Sequence, residues 1–183
     1  MNGWSVLGSL VAVPALDRPD LLGAPVAAAL KSLDPADAAL VGVAEIDPDL
    51  ADTAAFCAAY GSPLDGSANC VVVAGRRGEA VRYAACLVLA STRADVNGLV
   101  RRRLDARKAS FAPMDDAVAA TGMEYGGITP IGLPDGWPVL VDAAVAAAPA
   151  VVIGSGVRGS KLALPGALAA RLPAAEVLEG LGR

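Results

Sequence analysis

Two glycine-rich segments and one cluster of cations hold the residues best suited to chemistry. The first segment is Gly126-Gly127-Ile128-Thr129-Pro130-Ile131-Gly132. Adjacent glycines lack Cβ atoms, so successive N–H groups can converge on one concavity and stabilise an oxyanion or a phosphate. An ordinary tight turn uses the same residues. The second segment, Gly154-Ser155-Gly156-Val157-Arg158-Gly159, fits G-x-G-x-x-G and follows the apolar run Ala150–Ile153. A dinucleotide fold needs a long helix and a further half-domain after it. Here Pro165 interrupts, and only 24 residues (183 − 159) remain. Ser160-Lys161 is the reverse of the Lys-Ser/Thr that a phosphate loop requires. What remains is a turn that admits a ligand backbone or presents basic side chains.

Arg101, Arg102, Arg103, Arg107 and Lys108 form the concentrated basic cluster. Three consecutive arginines on a helix fan over about 200°, so they cannot all line one groove. They suit either a solvated helix C-terminus or contact with a phosphate backbone. Asp115-Asp116 is accounted for by a helix N-terminus, without a metal. The chain has no histidine, which removes Ser-His-Asp and Cys-His nucleophile systems and most catalytic zinc sites. Cys57, Cys70 and Cys86 are odd in number and lack C-x-x-C spacing, so they read as free thiols in a reducing compartment. A net charge of −4 excludes a protein coated with cations for nucleic acid, but leaves room for a local basic patch.

These residues must be positioned by a mixture of strands and helices. The apolar fraction, 55%, rests on Ala, Val and Leu, which favours closely packed elements in one domain spanning residues 1–183. Periodicity predicts helices over Asp20–Leu33, Asp49–Tyr60, Asp95–Leu104, Met114–Thr121 and Pro165–Leu172, with a short helical turn at Asp142–Ala148. Strands are expected at Ala39–Ile46, Cys70–Ala74, Tyr83–Ala90, Trp137–Val141, Ala150–Ile153 and Lys161–Leu164. Gly75-Arg76-Arg77-Gly78 reads as a hairpin turn. The order lacks a clean βαβ alternation, so the fold class is α+β: a mixed, partly barrel-like sheet surrounded by helices. Met1–Leu16 is apolar but lacks a basic leader, and Pro149 breaks the longest apolar run, so a cytoplasmic protein without a membrane span is expected.

The order of these pieces resembles the YbaK/ProX family, found free-standing and within bacterial prolyl-tRNA synthetases. Thr121–Gly132 is similar to the family's T-G-x-x-x-G-G-[IV]-[ST]-P-x-G loop. Leu140-Val141-Asp142 resembles its following strand and Asp, and Ile153–Gly159 its C-terminal glycine turn. Ala94-Asp95 through Lys108 is similar to its helix and trailing basic residues. The resemblance covers about residues 50 to 180. It implies hydrolysis of the ester joining a wrong amino acid to the 3′ end of a mischarged tRNA, without metal or cofactor. Backbone N–H groups of Gly126, Gly127 and Ile128 would face the ester oxygen. Cys70, Thr129, Pro130, Gly154, Ser155 and Arg158 would bind substrate, in a pocket selective for small amino acids.

Two positions depart from the family. Its lysine at the start of the strand after the second helix is replaced by Asn69, a hydrogen-bonding group without charge. Its Asp beyond the C-terminal glycine turn is replaced by Lys161. One reading is that the cation has moved, so that Lys161, with Arg158, faces Asn69 across the pocket. The other is that Lys161 is a surface residue on a strand; as a function, the alternative to hydrolysis is a tRNA-end or nucleotide-binding module that has lost it.

Overall fold

A computed structural model describes residues 3–183; Met1 and Asn2, the start of the apolar N-terminal stretch, lie outside the described residues. The helices are α1 (Ala24–Ser32), α2 (Pro35–Ala38), α3 (Thr53–Tyr60), α4 (Arg101–Arg103, continuing a π-turn at Val96–Val100), α5 (Met114–Thr121), α6 (Ala143–Ala147) and α7 (Gly166–Ala169). The strands are β1 (Val13–Pro14), β2 (Gly42–Glu45), β3 (Ala68–Arg77), β4 (Ala80–Leu89), β5 (Lys108–Phe111), β6 (Val139–Asp142), β7 (Val151–Gly154), β8 (Ser160–Leu164) and β9 (Ala175–Leu178). They form two sheets, ordered β1-β2-β8-β7 and β5-β3-β4-β6-β9. A parallel bridge between Ser67 and Val152 links the sheets, which stay open and do not close into a barrel. The architecture is mixed α+β. No helix among the described residues is long and apolar enough to cross a membrane.

The main core lies between the sheets, where Val43, Leu162 and Leu164 meet Leu87, Val139 and Val141, closed by Val26 and Leu30 of α1. Alternation along each strand sends the intervening residues outward. On one outer face Val73, Cys86 and Leu140 lie under Val96, Val100 and Leu104. On the other, Ala44, Val152 and Ala163 pack with Leu7 and Phe56 of α3. Lys161 alternates with Leu162 and shares the Phe56 side.

Several expected elements differ in extent. The helix expected from Asp20 starts at Ala24, because Gly23 donates its N–H to the Ser155 carbonyl and Pro25 suits a first helical turn. The helix expected from Asp49 starts at Thr53, where the Asp52 carboxylate accepts from Ala54 N–H at 3.1 Å. The hairpin turn is Gly78-Glu79, with φ +61° at Gly78; the strands continue through Gly75-Arg76-Arg77 in register to Arg77↔Ala80. Gly75 serves packing there, since a Cβ would come within 2.9 Å of Ala106. The helix beginning at Pro165 stops at Ala169, and β5 and β9 arise where no strand was expected. Both are edge strands with weak apolar alternation, and neighbours recruit them through backbone pairing.

The two glycine segments stack backbone to backbone. Gly156 N–H donates to the Gly127 carbonyl at 2.7 Å, and Glu124 N–H to the Gly156 carbonyl at 2.9 Å. A Cβ on Gly127 would lie 2.6 Å from the Val157 carbonyl oxygen, and one on Gly154 would lie 2.8 Å from that of Ile128. Gly127→Ala is therefore expected to cost about 1–3 kcal/mol in urea unfolding, because backbone must move. Gly159→Ala, where the nearest atom is 3.9 Å away, should stay within about 0.5 kcal/mol. Equal effects would contradict this account of the stack.

Candidate active site

A cleft of about 1040 Å³ opens between the start of β3, the start of α3 and the stacked glycine loops. The floor near β3 carries Asn69 and Cys70. Asn69 Oδ1 accepts from Thr53 Oγ1 at 2.8 Å, tying the strand to the first residue of α3. Two residues earlier, the Ala51 carbonyl accepts from Lys161 Nζ at 2.7 Å. The short segment Ala51–Thr53 thus holds both departures from the family pattern, and both line the cleft.

Lys161 is 7% exposed, and its ammonium lies 5.7 Å from the centre of the Phe56 ring. Burial lowers its pKa to about 8; Asp52 opposes that shift and Arg158 reinforces it. No carboxylate lies within salt-bridge distance of it among the described residues. Arg158 reaches across the other wall. Its Nη2 donates to the Pro48 carbonyl at 3.0 Å and Nη1 to Tyr125 at 3.1 Å, while its N–H bonds Glu124 Oε2 at 2.6 Å. These bonds pin the loop containing Gly126 against the segment before α3.

Of the residues expected in the site, Asn69, Cys70, Gly126, Ile128, Gly154, Arg158 and Lys161 line this one cleft. Four others lie behind its surface. Gly127 is buried, and its N–H is spent on the Glu124 carbonyl at 2.9 Å, so it is not free to meet an ester oxygen. Thr129 and Pro130 are buried, with Thr129 Oγ1 lacking a protein partner among the described residues. Ser155 Oγ, wholly buried, donates within its own turn to the Val157 and Ser160 carbonyls. They shape the turns that carry the lining residues and do not border the cleft.

Sequence reasoning did not single out Thr53, Asp52, Phe111, Met114 or Tyr125, all of which line the cleft. Asp52-Thr53 carried a usable signal, a capping pair opening an apolar helix. Phe111, Met114 and Tyr125 are large, apolar and 50–61% exposed at the cleft rim, and nothing in their spacing revealed this. The thiols are free. Burial pushes Cys70 well above the ordinary thiol range and Cys86 up to about 12, so neither is a thiolate nucleophile at neutral pH. Asp115 and Asp116 occupy the first turn of α5, and Arg103 is held by Glu176 at 2.6 Å.

The structure is thus an open mixed α+β fold with a cation, an amide and a backbone loop around one cleft. A family model described as an aminoacyl-tRNA editing domain matches residues 47–172, more than two thirds of the chain and every cleft residue named above. The chain belongs to this aminoacyl-tRNA editing domain family. Among solved structures, one described as a candidate trans-editing enzyme for prolyl tRNA synthetase aligns with a TM-score of 0.66 at 19% identity, covering 81% of this chain and 98% of the other. A designed epitope-presenting scaffold aligns at 0.70 with 20% identity, covering 86% and 95%. A hypothetical protein aligns at 0.70 with 18% identity, covering 81% and 95%. At these identities the likeness is one of fold. No curated protein matches the sequence significantly.

Lys161 also leaves a mark on stability. The unfolded chain keeps this proton to about pH 10.5, whereas the fold releases it near 8. Unfolding between those values takes up a proton, so stability rises with pH across the window, by an amount on the order of 2 kcal/mol. Relative to Lys161→Met, the wild type should gain stability from pH 8 to 10.5 in denaturant titrations. Parallel curves would mean that the ammonium is not buried as described.

Proposed function

We propose that the chain hydrolyses the ester of a mischarged tRNA in trans, with Lys161 supplying the charge that the family's lysine supplies elsewhere. The observation that carries this reading is the convergence of Lys161, Asn69 and the Gly126–Ile128 loop on one cleft. The family supports a deacylase role. Water attacks the ester carbonyl, a C–O bond forms, and negative charge collects on the carbonyl oxygen. Lys161 and the N–H groups of Gly126 and Ile128 stabilise that charge. The intermediate collapses as the C–O bond to the ribose breaks, and the ribose oxygen takes up the proton given up by the attacking water and leaves as a hydroxyl. Asn69, oriented by Thr53, hydrogen-bonds the ester or the ribose. A neighbouring ribose hydroxyl positions the water, a role that needs no histidine. The apolar walls, among them Phe56 and Val152, restrict the acyl group to a small side chain.

A second reading, a tRNA-end binding module without hydrolysis, is favoured by the engagement of Gly127 N–H with Glu124, which removes one donor from the ester oxygen.

A panel of tRNAs mischarged with Ala, Ser, Cys and Thr separates the two. Hydrolysis of at least one above buffer is expected, with Lys161→Ala lowering kcat/KM by about 10²-fold and Asn69→Ala by about 10-fold. The rate should decline as pH rises through about 8, where Lys161 loses its charge. Tight tRNA binding with no hydrolysis on any member of the panel would instead establish the binding module.

A further inference from the structure

Five of the basic residues not absorbed by the cleft gather at the far end of the second sheet. Arg76 and Arg77 close β3, Arg82 begins β4, and Arg107 and Lys108 lead into β5. All five are exposed. Arg76 is the register partner of Lys108, so their side chains emerge on one face, and Arg107 N–H donates to the Arg76 carbonyl at 2.9 Å. The neighbouring carboxylate Asp105 is held by Arg77 at 2.5 Å. Arg76, Arg107 and Lys108 have no ion-pair partner among the described residues. In a chain of net charge −4, this is a local positive end.

Edge strand β5 joins that end to the cleft. Lys108 lies at the basic end and Ala112, four residues or about 13 Å further along the same edge and face, lines the cleft. β3 runs beside it, from cleft-lining Asn69, Cys70, Val71 and Val72 to Arg76. A strand of nucleic acid whose terminal nucleotide enters the cleft therefore meets the cations one to two phosphate spacings further along.

We propose that Arg76, Arg107 and Lys108 receive the sugar–phosphate backbone of the tRNA acceptor end, with edge strand β5 as the track between this contact and the cleft. The partner is RNA backbone, read by charge and not by base sequence. The proposal rests on the proposed tRNA substrate but not on hydrolysis.

The test is the salt dependence of binding to uncharged, fluorescently labelled tRNA, measured by anisotropy from 50 to 300 mM KCl. The full-length wild type is compared with Arg76→Ala/Arg107→Ala/Lys108→Ala. Expected are at least a tenfold loss of affinity at the lowest salt and a log–log slope shallower by about 2–3, near one per phosphate contact. Arg107→Ala and Lys108→Ala singly should each reduce the slope by about 1, which keeps the test decisive if the triple variant folds poorly. Arg171→Ala, a cation held by Asp37 elsewhere on the surface, should leave the slope unchanged. An unchanged slope in the patch variants, an equal change in Arg171→Ala, or no salt-dependent binding by the wild type would each overturn the proposal. Salt-dependent binding lost with the patch, in a protein that hydrolyses no ester, would sustain this inference while ending the hydrolytic reading.

Discussion

The structure depends on one steric constraint: two glycine loops must approach backbone to backbone. Gly127 abuts Val157, Gly154 abuts the Gly127 and Ile128 carbonyls, and Gly156 abuts Gly23. The first two contacts are closer than a Cβ permits, and the third leaves room for one only if the neighbouring backbone gives by a few tenths of an ångström. The end of β7, the loop before β6 and the entry to α1 are thereby fixed against one another. The cleft wall is a by-product of that contact. Gly126 and Ile128 face outward because Gly127 between them is committed inward. The loop does not offer three accessible donors: its own turn spends the Gly127 N–H on the Glu124 carbonyl, while the stack takes the Gly127 carbonyl.

The second organising feature is a cation buried without a carboxylate. Fully desolvating an ammonium is costly, and this fold offsets the cost with a carbonyl, an aromatic face and a distant Asp52. Such an arrangement persists in a fold that has ample apolar alternatives, since Ala163 and Val152 share the same face. Asn69 is fastened to Thr53, and Lys161 to the carbonyl two residues before it. The two substitutions thus meet at one turn of chain. Fixing the start of α3 with the Asp52 cap fixes both at once.

Much of this was legible in the sequence, for physical reasons that differ by element. α5 was readable because Asp115-Asp116 and Gly122 mark its ends, and β7–β8 because apolar runs flank a glycine turn. The glycine loops were legible as special but not in their role: spacing cannot tell whether a missing Cβ admits a ligand or another backbone. Thr129 and Ser155 were expected beside substrate and are buried instead: the Ser155 hydroxyl completes its own turn, and the Thr129 hydroxyl is enclosed without a protein partner among the described residues. The hairpin turn was misplaced by two residues because Gly75 suits a crowded strand as well as a bend. β5 and β9 were invisible, being edges whose pairing is decided by neighbours distant in sequence. The aromatic rim escaped for the same reason: Phe111 and Tyr125 lie 14 positions apart (125 − 111) and share only the lining of the cleft.

The partner of Lys161 has a kinetic meaning. An ammonium clamped by a carboxylate must break an ion pair before it can serve an incoming anion. Here the clamp is the neutral Ala51 carbonyl. Exchanging that acceptor for an oxyanion gives up one ordinary hydrogen bond, worth about 1 kcal/mol net, and gains a charge-assisted one. In the proposed hydrolysis Lys161 is thus a donor held by neutral backbone, with further N–H groups available to an incoming anion.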